Sequence, residues 1–116
     1  MSSIVVSQRI DYYPDRNETR DSLDQRLVNF FNFAGFLGMP VPNCFIQKDK
    51  GDYCYKALDQ WIKLINPQGI VLSGGNDIGN FINRDLTEIR LIQYAQKNKL
   101  PLLSSKPFLC PAIEKA

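Results

Sequence analysis

The sequence predicts an α/β fold in which a parallel sheet carries helices on its faces. Short apolar runs that suit buried strands alternate along the chain with longer segments in which apolar residues recur every three or four positions. Strands that alternate with helices favour parallel pairing through right-handed crossovers. With 116 residues, the chain is expected to form one domain that buries roughly two thirds of its unfolded surface.

The predicted elements follow the order strand, helix, strand, helix, strand, helix, strand. The predicted strands are residues 4–7, 36–41, 69–72 and 100–103. The predicted helices are residues 23–34, 54–66 and 85–99. The polar segment at 8–20 carries no predicted element, and residues 43–53 are predicted to form an exposed loop or turn.

Local signals place the helix ends and the core. Ser22 with Gln25, or Thr19 before it, is expected to cap the first helix, and Gly35 is expected to end it. A capping box is expected at the start of the third helix, with Asp85 and Glu88 as its members. The large aromatic residues Phe30, Phe31 and Trp61 are predicted to lie in the core.

Composition and charge exclude several classes of function. A net charge of +2 with mixed signs is too small to indicate a nucleic-acid partner or a membrane surface, and no apolar run approaches the length of a membrane span. The three cysteines lack CxxC spacing, which predicts neither a metal site nor a disulfide framework. The chain has no histidine, the commonest general base and metal ligand. A cytoplasmic protein without a cofactor is expected.

The third predicted strand ends abruptly at Ser73, Gly74 and Gly75, which Asn76 and Asp77 follow. Adjacent glycines let backbone N–H groups approach a ligand closely, and several such groups hold an anion or a developing oxyanion. Ligands of parallel α/β folds bind beyond the carboxyl ends of the strands. The alternative is a tight turn without a ligand.

A charged cluster precedes the first helix and contains Arg16, Glu18, Arg20 and Asp21. Following the first strand, it would lie on the same edge of the sheet as the glycines, where its charges would contact a carboxylate-bearing substrate. The alternative, which we favour, is a capped helix start with local ion pairs and Asp21 near the positive helix end, because charge runs near helix starts are common.

Three motifs together resemble class I glutamine amidotransferases: R-N-E-T-R-D-S-L-D-Q-R at 16–26, P-V-P-N at 40–43 and G-I-V-L-S-G-G-N-D-I-G at 69–79. The branch they resemble is the γ-glutamyl hydrolase-like one, which includes γ-glutamyl-γ-aminobutyrate hydrolases and amidotransferases of bacterial surface-sugar pathways. The resemblance implies a flavodoxin-like fold of which residues 1–103 would form the N-terminal half, with 104–116 as a divergent tail. It also implies a γ-glutamyl small-molecule substrate of a surface-sugar or polyamine-like pathway.

The resemblance implies an incomplete active site. Family members hydrolyse a γ-glutamyl amide with a cysteine nucleophile, a histidine base and an acidic orienting residue. By resemblance, the N–H of Gly75 would help to form the oxyanion hole, and Gly74, Asn76 and Asp77 would shape it. Lys106 occupies the position of the nucleophilic cysteine, so no catalytic residue is assigned.

Cys110 lies four residues beyond that position, without the glycines of a strained elbow and without a histidine to lower its pKa. We interpret it as an incidental thiol and expect no activity from this chain alone. The loss of resemblance after residue 103 predicts a truncated or frameshifted reading frame. A downstream DNA sequence without a G-x-C-R-G-like continuation in another frame would contradict that prediction.

A second hypothesis is a non-catalytic binding module that docks a partner through an uncovered sheet face. Self-association through an exposed sheet edge belongs to the same hypothesis. A stable dimer or a stoichiometric complex in size-exclusion chromatography would favour the module, and aggregation would favour a broken fragment.

Overall fold

A computed structural model describes residues 2–74 and 79–104 and shows a parallel sheet with helices on both faces. The strands are β1 (Ser2–Val6), β2 (Arg9–Tyr13), β3 (Glu18–Ser22), β4 (Phe36–Pro40), β5 (Gln47–Asp49), β6 (Asp52–Cys54), β7 (Gly69–Leu72) and β8 (Leu102–Ser104). The α-helices are α1 (Gln25–Phe33), α2 (Lys56–Ile65) and α3 (Ile82–Asn98), and a 3₁₀ turn spans Asn43–Phe45. None of the described helices is long and apolar enough to cross a membrane.

The sheet confirms the predicted fold class. Its four strands are all parallel and lie in the order β4-β1-β7-β8. Counted along the chain, this is the order 2-1-3-4 of a flavodoxin-like arrangement. The strand order reverses between β1 and β7, where Val5 pairs with Ile70. Ligands of such folds bind beyond the carboxyl ends of the two strands at this reversal.

The two faces of the sheet are covered unequally. Side chains alternate between the faces along each strand, so Val5, Ile70 and Leu72 pack in the larger core with apolar residues of α2 and α3. On the opposite face, Ile4, Val6 and Val71 form a smaller cluster. The side chains packed against that cluster are Leu23, Leu27 and Phe31, from α1 and the segment before it. Among residues 2–74 and 79–104, apolar surface therefore remains uncovered on the α1 face.

Helix α1 begins later than the first predicted cap and buries less than predicted. Its N-cap is Asp24, whose carboxylate accepts a hydrogen bond from the backbone N–H of Arg26. Ser22 ends β3 instead, because its hydroxyl is bonded to Asp11 across the hairpin. The prediction that Phe30 lies in the core is wrong, since its side chain is 65% exposed. Gly35 follows the helix with a φ of +93°, as expected of a helix-ending glycine.

Helix α3 begins at Ile82, three residues before the predicted start, and the capping box does not form. The Asp85 carboxylate accepts from the backbone N–H of Gly79. Glu88 is instead buried against Arg84 and Ser7. The inner face of α3 begins with Arg84, Thr87 and Glu88, and a hydrophobic pattern cannot register these polar positions.

Two antiparallel hairpins occupy polar segments that carried no predicted strand. β2 pairs with β3 within and just beyond the polar segment, and β5 pairs with β6 within the predicted loop. The second hairpin turns at Lys50 and Gly51, which both have positive φ. Two positive φ values are the geometry that a two-residue hairpin turn requires. The first hairpin matters for function, because it follows β1 directly at the carboxyl edge of the sheet.

Candidate functional site

The carboxyl ends of β1 and β7 are joined by two buried serines. Ser73 donates its backbone N–H to the hydroxyl of Ser7 at 2.9 Å, and its own hydroxyl donates to the Ser7 carbonyl at 2.6 Å. The Ser7 N–H in turn donates to the Val71 carbonyl at 2.9 Å. These reciprocal bonds extend the pairing of the two strands to the residue before Gly74.

Two charged residues of α3, Arg84 and Glu88, form hydrogen bonds with these serines. The Ser7 hydroxyl donates to Glu88 Oε2 at 2.8 Å, and Arg84 Nη2 donates to the Ser73 carbonyl at 2.7 Å. Arg84 Nη2 also lies 3.1 Å from Glu88 Oε2. All four residues are buried. Within the described residues, the Nε and Nη1 of Arg84 have no hydrogen-bond partner.

The network fixes the direction in which the chain leaves β7. Both the N–H and the carbonyl of Ser73 are held by buried partners, so the following peptide starts from a defined position. Low local dielectric strengthens hydrogen bonds of this kind and makes unpaired groups costly. A backbone N–H that is to stabilise an oxyanion must be held in place before the reaction, and the hydrogen bonds to Ser73 restrain the peptide that follows it. Ser7, Arg84 and Glu88 were not predicted as site residues.

One signal in the sequence pointed to this network. Arg84 and Glu88 are spaced i, i+4 and precede Leu91, Ile92 and Ala95 on one helical face. Opposite charges at that spacing on the inner face of a helix predict a buried pair. Hydrophobic periodicity alone does not reveal it.

Gly74 borders a cavity of about 360 Å³ at the same edge. The cavity is bordered by Arg9, Ser22, Asp24 and Leu27, and Ser73 with Gly74 completes its wall. The remaining predicted members of the glycine loop, which are Gly75, Asn76 and Asp77, lie outside the described residues, as do Lys106 and Cys110. The structure therefore describes Ser73 and Gly74, where the predicted loop begins. The role of Gly75 as an oxyanion donor stays a prediction.

The predicted charged cluster lies on the β2–β3 hairpin, where its members pair with one another. Glu18 forms ion pairs with Arg20 and, at 3.9 Å, with Arg16. Both guanidinium groups lie over the Tyr13 ring, at 4.6 and 5.4 Å from its centroid. The three charged side chains are at least one third exposed. These are the local ion pairs that the alternative interpretation expected. Its placement at a capped helix start, with Asp21 near the helix end, is wrong, because Glu18–Ser22 form a strand and Asp24 caps the helix.

Asp21 differs from these neighbours, because it connects two of the sequence motifs. Its carboxylate accepts from the backbone N–H of Asn43 at 3.1 Å and from Asn43 Nδ2 at 2.9 Å. Asn43 Nδ2 also donates to the Gln8 carbonyl. Asp21 belongs to the R-N-E-T-R-D motif and Asn43 to P-V-P-N. The hairpin is thereby attached to the turn after β4.

Two exposed thiols, Cys44 and Cys54, lie within the described residues. In residues 2–74 and 79–104, no group of three or more His, Cys, Asp or Glu side chains is placed to hold a metal ion.

Among the described residues, an apolar surface lies beside Ser73 and Gly74, on the α1 face of β7 and β8. Two shallow cavities of about 290 and 300 Å³ follow this face. Val71 and Leu103 contribute to both, Phe31 and Phe36 border one, and Leu27 borders the other. Leu103 is 58% exposed.

No family model matches the chain, and no curated protein matches its sequence significantly. The chain combines a flavodoxin-like sheet with a Ser73–Gly74 junction that buried polar residues hold at the switch point.

Proposed function

We propose that this chain carries the oxyanion-stabilising half of a γ-glutamyl amide site, in a domain of the class I glutamine amidotransferase type. The observation that carries the proposal is the locked Ser73–Gly74 junction at the β1/β7 switch point, beside an open cavity. Backbone donors that follow Ser73 would point at the carbonyl oxygen of a bound amide. Fixed donors of this kind are typically worth about 3–4 kcal/mol of transition-state stabilisation in a complete site.

The proposed substrate is a γ-glutamyl amide because of the motif resemblance, and the cavity at Gly74 is where its acyl group would lie. Arg16, Glu18 and Arg20 are proposed to contact the charged end of the substrate, which requires the ion pairs of Glu18 to open. Surface ion pairs are weak enough to exchange in this way. A cytoplasmic location and a role in a bacterial surface-sugar or polyamine-like pathway belong to the same proposal.

Turnover is not proposed for this chain alone. Amide hydrolysis through an acyl-enzyme needs a nucleophile, a base to take its proton and an oxyanion hole. Lys106 stands at the nucleophile position and the chain has no histidine, so we assign Lys106 and Cys110 no catalytic role. The proposed contribution of the chain is acyl-group binding and oxyanion stabilisation.

A nuclear magnetic resonance titration with L-glutamic acid γ-anilide tests this proposal. Saturable shifts are expected at the backbone amides of Ser73, Gly74 and Leu27. The substitutions Gly74→Ala and Gly74→Val place progressively more bulk beside the cavity and should weaken binding in that order. Leu64→Val, at an 85% exposed position of α2, is the control. Shifts that do not saturate, or that survive Gly74→Val unchanged, would refute the site.

A second function is favoured by the open α1 face of β7 and β8. In this alternative, the chain is a non-catalytic module whose apolar face docks a partner protein. The face combines the exposed Leu103 with the two shallow apolar cavities, and contiguous exposed apolar surface commonly marks an interaction site. A stoichiometric complex or a stable dimer in size-exclusion chromatography would support it, and a monomer without partners would argue against it.

A further inference from the structure

A separate cavity of about 520 Å³ lies between the β2–β3 hairpin, the turn at Asn43–Phe45 and the start of α3. Its polar wall includes Thr19, Asp21, Asn43 and Asn83, and Phe81 and Ile82 contribute apolar surface. It shares no lining residue with the cavity at Gly74. Its volume is in the range of small-molecule sites.

Asp21 gives this cavity its charge. It is the one charged side chain among the described residues that line the cavity, and no cationic side chain of the described chain pairs with it. Alternation along β3 explains the separation, because Thr19 and Asp21 share one face of the strand while Glu18 and Arg20 share the other. The cavity therefore carries the negative charge of Asp21, while Glu18 pairs with Arg16 and Arg20 on the other face of the hairpin.

Asn43 adds an unsatisfied acceptor to the same wall. The residue is 2% exposed, and both described bonds of its Nδ2 run to acceptors, the Gln8 carbonyl and Asp21 Oδ1. A flipped amide would turn its oxygen toward those two oxygens, so the orientation is fixed. Within the described residues, Asn43 Oδ1 has no hydrogen-bond partner. A buried acceptor without a donor costs free energy, and the partial negative charge of this oxygen adds to the attraction of Asp21 for a cation in the cavity.

We propose that this cavity binds a small molecule through its primary ammonium group. An ammonium ion carries three donors and no acceptor, which suits a wall that offers the Asp21 carboxylate and the Thr19 hydroxyl. The buried Asn43 Oδ1 adds partial negative charge without contacting the ligand. A short alkyl stem would pack on Phe81 and Ile82. Asp85, in the first turn of α3, offsets the positive end of that helix near the cavity.

Titration with butan-1-ammonium chloride, followed at the Asn43 side-chain and Asn83 backbone signals, tests the proposal. Saturable shifts are expected with the amine. Butan-1-ol has the stem without the charge, and butyltrimethylammonium has the charge without donors, so both should bind at least about tenfold more weakly. Equal binding of butan-1-ol, or no saturable shift with the amine, would overturn the proposal. L-Norvaline carries an α-carboxylate beside its ammonium group, so Asp21 should make it bind more weakly than the simple amine, and tighter binding of L-norvaline would contradict the proposal.

Charge variants at the cavity separate binding from folding. Asp21→Asn should raise the dissociation constant of butan-1-ammonium about tenfold or more, but it also alters the bonds to Asn43. Ile82→Lys leaves those bonds intact at a half-exposed position. Its ammonium group should compete with the ligand and raise the dissociation constant severalfold more than the size-matched Ile82→Gln, which removes only the apolar contact with the stem. Equal affinities in the Lys and Gln variants would contradict the proposal.

Discussion

Glu88 is a buried carboxylate that accepts hydrogen bonds from Ser7 and Arg84 at the end of the sheet. A buried ion pair adds little net stability compared with an apolar pair, but losing one partner strands the other charge in a poorly solvated environment. Arg84 would be stranded in this way, because it is fully buried and holds the Ser73 carbonyl. Removing the charge of Glu88 should therefore affect both stability and the geometry of the Ser73–Gly74 junction.

The substitution Glu88→Gln should lower the free energy of unfolding by about 3–5 kcal/mol, because it leaves the Arg84 charge without its counter-ion. Urea denaturation measures the change. Glu18→Gln is the matched control, since Glu18 also pairs with arginines but at the surface, and it should cost less than about 1 kcal/mol. Similar losses in the two variants would contradict the buried network.

Asp11 gives a prediction about pH. The hydrogen bond that the Ser22 hydroxyl donates to its carboxylate, followed by the attraction of Arg9, holds the pKa of Asp11 below its usual value, although burial opposes this. Because the folded-state pKa is depressed, the carboxylate contributes stability above its unfolded pKa of about 3.9 and loses it as the pH falls through the folded value. The difference in melting temperature between the wild type and Asp11→Asn should shrink over that acidic range.

A side-chain carbon titration by nuclear magnetic resonance checks the cause of this shift. Ser22→Ala and Arg9→Gln should each raise the pKa of Asp11, because the Ser22 hydroxyl and the Arg9 guanidinium both donate to its carboxylate. An unchanged pKa in either variant would contradict the corresponding cause.

Only some of the apolar residues of helix α1 are buried against the sheet. Leu27 and Phe31 pack against the smaller core, but Phe30 and Phe33 face away from it and are largely exposed. Phe30 contacts Phe31 edge to face, with ring centroids 5.4 Å apart. The helix thus presents aromatic surface on both sides of the stripe that it buries.

Neighbouring phenylalanines of α1 should respond differently to truncation. Phe31→Ala should reduce the free energy of unfolding by about 2–3 kcal/mol, below the usual range for a fully buried phenylalanine because Phe31 is only partly buried. Phe33→Ala, at a 95% exposed position, should change it by less than about 0.5 kcal/mol. Thermal and urea unfolding of the two variants provide the comparison, and equal losses would mean that Phe33 is covered in solution.

The sequence predicted best the strands and helices that bury apolar side chains. The run Ile70-Val71-Leu72 is buried on both sides, so its strand needs no further signal, and α2 keeps Leu58 and Ile62 inside as its spacing indicates. The hairpins could not be found in this way, because β3 is polar and is held by backbone pairing with β2. At the candidate site, the sequence indicated only the glycines that follow β7. The supporting residues were missed because they are polar and far apart in sequence: Ser7 lies 66 positions from Ser73 and 81 positions from Glu88.

In the described part of the chain, one face of the sheet is well covered and the other is partly open. α2 and α3 cover the first, whereas α1 covers only part of the second and leaves Val71 and Leu103 bordering shallow cavities. Among the described residues, the three-residue strand β8 lies at one edge of the sheet, and edge strands are common sites of pairing between chains. Self-association through this edge and face is the expected consequence.

Analytical ultracentrifugation tests that expectation. The wild type should associate in a concentration-dependent way, and Leu103→Asp should weaken the association at least about tenfold, because it places a charge on the apolar face. Leu64→Asp is the matched control at an exposed position of α2 and should leave the association unchanged. A monomeric wild type, or equal effects of the two substitutions, would rule out this interface.

The most direct test of the central proposal is a time-resolved magnetic resonance titration of the purified chain with L-glutamic acid γ-anilide, which reports binding and hydrolysis together. The proposal predicts saturable shifts at Ser73 and Gly74 without release of aniline above the rate in buffer. Aniline release that Cys110→Ser abolishes would contradict the assignment of Cys110 as an incidental thiol, and the absence of saturable shifts at Ser73 and Gly74 would contradict the site itself.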